Sequence, residues 1–140
     1  MLKRLLPITT ALLLFIGNPA WSGSYQYMDA QTVKQKLESH APLSLVDIQV
    51  EEEYAQHRIV GALPSYAYPV KSEADRAKLA ALSPHLMTSE DPVVVVCPRG
   101  GGGAERAYDY LLSQGIDATR LYILEQGQQG WPYPELLVKN

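Results

Sequence analysis

One cysteine occurs in the 140 residues, and it opens the run Cys97-Pro98-Arg99-Gly100-Gly101-Gly102-Gly103. A thiol reacts and binds as its anion, so this residue is the chain's best candidate for covalent chemistry. Four consecutive glycines remove every Cβ from the run, and backbone N–H groups are then free to turn inward above the sulfur. Donors placed that way favour thiolate over thiol, and they suit equally a terminal persulfide sulfur or the oxygens of a sulfur oxyanion. Arg99 adds a positive charge at the rim. A glycine run also makes a merely tight strand-to-helix connection, and a lone cysteine also serves as a small buried hydrophobe. The flanking sequence separates these readings.

Val93 to Val96 is an uninterrupted β-branched run, the pattern of a strand covered on both faces in a parallel sheet, and it is expected to be the central strand. After the glycines, Ala104, Ala107, Tyr108, Leu111 and Leu112 recur at helical spacing, and Gly115 supplies a C-terminal stop. The thiol therefore falls at the carboxyl end of a parallel strand, where ligand sites of open α/β sheets collect. The helix starting near Gly103 aims its positive end at the same place. No lysine followed by serine or threonine completes a phosphate loop, so no nucleotide site is expected. Neither a metal nor a cofactor is called for.

Short apolar runs alternate with helical periodicity elsewhere, which reads as α/β. Asp29 caps a helix from Ala30 to about Ser39, Leu43 to Ile48 is a short buried strand carrying Asp47, and the acidic start Glu51-Glu52-Glu53 favours a short helix through Gln56. A turn or short strand is expected over Ile59 to Leu63, a second amphipathic helix over Ser72 to Leu82 ended by Pro84, and a last strand over Leu121 to Leu124. The proline-interrupted segment Trp131 to Asn140 reads as closing coil or a short helix.

The N-terminus combines Lys3 and Arg4, an apolar stretch from Leu5 to Ile16, and Ala20 and Ser22, the pattern of a cleavable secretory signal peptide over residues 1–22. The apolar stretch is about half the roughly 20 residues of a membrane span, so no membrane association is expected after cleavage, and a periplasmic or secreted location follows. Cleavage leaves residues 23–140, enough for a single domain with one core. It also moves the formal net charge from −3 to −5, which suggests neither nucleic acid nor an anionic membrane surface as a partner. A single cysteine forms no internal disulfide, so export leaves this thiol in need of another explanation.

Three segments, LVDIQVEEEYAQHRIVGALP from Leu45 to Pro64, VVVVCPRGGGGAERAYDYLLSQGI from Val93, and LYILEQGQQGW ending at Trp131, resemble in order and spacing the hallmark segments of rhodanese domains. The resemblance implies an open sheet of about five mainly parallel strands flanked by helices on both faces. It also implies a cysteine that takes sulfane sulfur from a small donor, thiosulfate or a persulfide, and passes it to a thiophilic acceptor. By that resemblance Cys97 is the persulfide-bearing residue and Pro98 to Gly102 complete its six-residue loop, with Gly103 following. Asp47, Arg58 with Gly61 and Ala62, and Gly127 with Trp131 match supporting positions, Trp131 being equally well explained as core packing.

The chain also departs from the family pattern. Gln49 stands where arginine commonly follows the aspartate, which removes a partner for Glu53. Pro98 occupies a position commonly arginine, and Gly102 one where thiosulfate-using members often carry a basic residue. A cysteine phosphatase or arsenate reductase would require arginine six positions after the cysteine to clamp a tetrahedral oxyanion; that position is Gly103, and Arg106 lies three further on. The residues also admit a non-catalytic module that binds an anion or a partner, and a thiol redox protein, which here needs an intermolecular disulfide.

Overall fold

The computed structural model describes residues 24–138, so the expected leader over residues 1–22 lies outside the described residues. Five strands form one sheet in the order β1-β6-β5-β2-β4: β1 (Tyr27–Met28), β2 (Ser44–Asp47), β4 (Leu63–Pro64), β5 (Val93–Val96) and β6 (Leu121–Leu124). Every neighbouring pair is parallel. The valine strand β5 is central, as its composition predicts, and all four of its residues are fully buried. A separate antiparallel pair joins β3 (Arg58–Ile59) to β7 (Leu137–Val138).

Alternation along the strands divides the core into two. On one face Val46, Val93 and Val95 pack with Leu79, Leu86, Ala107, Tyr108 and Leu111, which brings helices α3 (Glu73–Ala80), α4 (Ser83–Leu86) and α5 (Gly102–Ser113) onto the sheet. On the other, Leu45, Val94 and Val96 pack with Val33 of α1 (Ala30–Glu38), with Tyr54 of α2 (Glu51–Gln56) and with Trp131. Helices on both faces are what an all-parallel sheet needs to bury its apolar surfaces.

Local chemistry sets the helix boundaries. Asp29 accepts a hydrogen bond from the Thr32 N–H at 2.6 Å and so caps α1. Ser72 and Asp75 form a reciprocal capping box at the start of α3. Two expectations need correcting. The helix predicted through Leu82 ends at Ala80, and Pro84 lies in the first turn of the separate α4, where its missing N–H costs no hydrogen bond. The closing segment is neither coil nor helix throughout: a 3-10 turn at Pro134–Leu136 leads into β7, whose Val138 and Leu137 pair with Arg58 and Ile59.

Candidate active site around Cys97

Cys97 follows β5 directly and is 2% exposed. The Gly100 N–H donates to its Sγ at 2.7 Å, and Gly100 reaches this position with a φ of +73°, a conformation that glycine adopts without strain. Behind the loop lies the turn after β6. There the Gln128 N–H donates to the Cys97 carbonyl at 2.7 Å and the Gln129 N–H to the Pro98 carbonyl at 2.9 Å. The turn approaches so closely that a Cβ on Gly127 would stand 2.6 Å from the Gly100 nitrogen and 2.7 Å from that of Arg99, and nearer still to the Cys97 carbonyl. Gly127 also has a φ of +62°. Glycine is thus required at Gly127 both by its own backbone and by the loop it supports.

In front of the sulfur is a cavity of about 130 Å³ lined by Tyr68, Cys97, Pro98, Arg99, Gly101, Gly102 and Gly103. That is roughly the liquid volume of four waters, a space suited to a small anion or a terminal sulfur rather than a large substrate. Helix α5 begins at this cavity, and its cap residue Gly101 offers no side chain to its first N–H groups. Those orphan donors and the helix dipole favour negative charge where the cavity lies.

The structure adds two side chains to this site, Tyr68 and Arg106. Tyr68 comes from the loop after β4, where its N–H donates to the Ile48 carbonyl at 2.8 Å. Its ring lies so close to Gly103 that a Cβ there would be 2.8 Å from a ring carbon. The position that would hold a phosphatase arginine is therefore filled from outside by an aromatic ring. Arg106 folds back along α5, placing its guanidinium 2.9 Å from where a Cβ on Gly102 would stand, while its Nε donates to the Pro69 carbonyl at 3.0 Å. The four-residue spacing of Gly102 and Arg106 on one helix carried this signal, because such residues share a face. For Tyr68 the sequence offers none, since only the loop path over the sheet brings it to Gly103.

Of the supporting residues named from the resemblance, Gly127 braces the loop, whereas Asp47, Arg58 and Trp131 sit elsewhere. Asp47 pairs in register with Val96, so alternation directs it to the opposite face from Cys97. It is fully buried, and its two oxygens accept from the Gln49 N–H at 2.8 Å and the Gln49 Nε2 at 2.9 Å. Burial pushes its pKa up to about 6 against the lowering effect of these two bonds; Glu53 adds to the rise and Arg58 opposes it. Gln49 thus serves Asp47 where the family pattern has an arginine. Arg58 stacks over the Tyr54 ring at 4.8 Å and donates to the Tyr54 carbonyl at 3.3 Å. Trp131 packs in the second core cluster, 8% exposed, with its Nε1 donating to the Tyr133 carbonyl at 2.9 Å. None of these three lines the cavity at Cys97. A larger cavity of about 440 Å³ lies between Met87 and Arg120, around the loops entering β5 and β6, and its lining contains no cysteine, serine-histidine pair or metal-ligand cluster.

A family model described as the Rhodanese-like domain matches residues 29–132. Among solved structures, the rhodanese-like domain of an Anabaena protein superposes with a TM-score of 0.63 at 19% identity, covering 84% of this chain and 81% of that one. A yeast protein tyrosine phosphatase of the rhodanese family gives 0.63 at 18% identity over 78% and 86%. A thiosulfate sulfurtransferase from Pseudomonas aeruginosa gives 0.64 at 21% identity, over 82% of this chain and 20% of that much longer one. These likenesses establish the fold and span more than one chemistry. No curated protein matches the chain. With the sheet order, the loop after the central strand and the match over residues 29–132 in agreement, the chain belongs to the rhodanese-like domain family.

Proposed function

We propose that this protein is a sulfurtransferase or sulfur carrier in which Cys97 holds sulfane sulfur as a persulfide. The observation that carries the reading is the Gly100 N–H directed at Sγ, at the mouth of a small cavity where α5 begins. With thiosulfate as donor, the Cys97 thiolate attacks the outer sulfur, the S–S bond breaks, and sulfite leaves with the bonding electron pair. Once the persulfide is protonated, an acceptor thiolate attacks its terminal sulfur. The bond to Sγ then breaks, the thiolate of Cys97 is restored, and the sulfur departs on the acceptor with its proton. The Gly100 N–H directed at Sγ and the uncapped N–H groups at the start of α5 favour the anionic sulfur without rearrangement.

A phosphatase reading is weaker, because it requires an arginine clamp at the position where this chain has Gly103, against which the Tyr68 ring lies. The basic start and short apolar stretch of residues 1–22 support export as part of the same proposal. Sulfite release from thiosulfate, measured with and without a thiol acceptor, tests the reading. Turnover in the parent and none in Cys97→Ser is expected; sulfite release that persists in Cys97→Ser would contradict it.

A further inference from the structure

Beside the persulfide cavity lies a second, more open one of about 380 Å³, lined by Val70, Lys71, Arg76, Arg106, Asp109 and Tyr110. Three cations face one carboxylate there, against the sign of a chain whose formal net charge is −3. Among the described residues these cations have no carboxylate within 4 Å: the side-chain ion pairs at that distance join Lys34 to Glu38 and Glu135, and none involves Lys71, Arg76 or Arg106. Asp109 accepts from the Tyr25 hydroxyl at 3.0 Å, and Asp75 is engaged by the N–H groups of Lys71 and Ser72 in the capping box of α3.

The two cavities meet at one contact, Arg106 against Gly102. Arg106 lines the cationic one, and its guanidinium lies over Gly102, which lines the cavity at Cys97. A molecule whose sulfur reaches Cys97 past Gly102 would place its remaining atoms toward Arg106, whose cavity is lined also by Arg76 and Lys71. Unpaired guanidinium and ammonium groups around one opening favour carboxylates, and guanidinium groups can bind them through two parallel hydrogen bonds.

Resting on the sulfur-transfer reading for its chemistry, we propose that this cavity is an anion subsite. It binds the carboxylates of a thiol that exchanges sulfur with Cys97, so the preferred acceptor is a net-anionic thiol carrying carboxylates rather than a neutral one. Three cations and one carboxylate complement a thiol with two carboxylates and one ammonium. In the transfer step the acceptor thiolate attacks the terminal sulfur of the protonated persulfide, the Sγ–S bond breaks, and the acceptor leaves as its persulfide while Cys97 leaves as thiolate.

Glutathione, with two carboxylates and one ammonium, and neutral 2-mercaptoethanol are suitable probe acceptors, with S-methylglutathione as an unreactive binding probe. In the double variant Lys71→Gln, Arg76→Gln, kcat/KM for glutathione should fall about ten-fold or more, while that for 2-mercaptoethanol changes less than about two-fold. Calorimetric binding of S-methylglutathione to the parent should weaken with salt and be lost in the double variant. A parent that fails to bind S-methylglutathione, or a double variant that binds it undiminished, overturns the subsite. An equal loss toward both acceptors also overturns it. If Cys97 takes up no sulfur but S-methylglutathione binds in a Lys71- and Arg76-dependent way, the anion subsite stands and the transfer reading fails.

Discussion

At the scale of single residues, the site is held by glycines with unequal demands. Gly101 has open space where a Cβ would go, whereas at Gly127 the same atom would enter the backbone of Cys97, Arg99 and Gly100. Gly127→Ala should therefore cost at least about 2 kcal/mol, from the left-handed backbone and the displaced loop together, and Gly101→Ala under about 1 kcal/mol. Urea unfolding of the two variants checks this contrast; equal costs would mean that the turn after β6 does not brace the loop. Arg99 is exposed at the cavity rim and lines it. Arg99→Ala should lower kcat/KM for an oxyanion donor such as thiosulfate by about ten- to a hundred-fold, from one lost charge-assisted contact of roughly 1.5–3 kcal/mol. Persulfide lifetime should change much less, because the loop N–H groups remain. Donor kinetics unaltered in Arg99→Ala would leave selectivity to backbone dipoles.

At the scale of elements, the legible parts were those whose side-chain pattern matches their surroundings. Four consecutive valines have one good solution, a strand buried on both faces, and β5 adopts it; Ala104 to Leu111 repeat at helical spacing, and α5 follows. Two-residue strands such as β1 and β7 carry no period. What makes them strands is the backbone partner that folding brings, Ile123 and Leu124 for β1, Arg58 and Ile59 for β7. The Cys97 loop was legible because its chemistry is local. Tyr68 was not, because the segment from Ser65 to Val70 has no repeating pattern, and its path is set by bonds from Ser65 to the Asp47 carbonyl and from Tyr68 to that of Ile48. Tyr68 is 41% exposed, yet its ring covers Gly103 beside a nearly buried thiol. Tyr68→Ala should thus open the cavity, raising the rate of Cys97 alkylation by iodoacetamide severalfold with little loss of stability. An unchanged or slower rate would show that the ring does not limit access.

At the scale of the whole molecule, buried and exposed carboxylates set opposing responses to pH. Asp47 has a folded pKa of about 6 against an ordinary 3.8, so the stability it contributes is fully present below the unfolded value and is lost as pH rises through about 6. The loss is on the order of 3 kcal/mol between those limits. Asp29, Asp75 and Asp117 are held below the usual carboxylate range by hydrogen bonds near helix starts; their contribution is present above pH 3.8 and is lost as pH falls through their lowered values. Stability should accordingly peak near pH 4, and the decline between about pH 4 and pH 6 should flatten in Asp47→Asn. Urea midpoints measured from pH 3 to pH 8 check both limbs. A parent whose stability rises between pH 5 and pH 7 would place the charged form of Asp47 in a more favourable environment than its burial implies.

Sheet, loop and cavity together present one buried thiol to one small anion-favouring space, and the central claim is that sulfur is carried there. Intact-mass measurement of the purified protein before and after exposure to thiosulfate or a persulfide donor tests that claim most directly. A gain of one sulfur per chain is expected, absent in Cys97→Ser and reversed on adding a thiol acceptor. A parent that gains no sulfur from either donor, or a Cys97→Ser variant that gains it equally, would contradict the account.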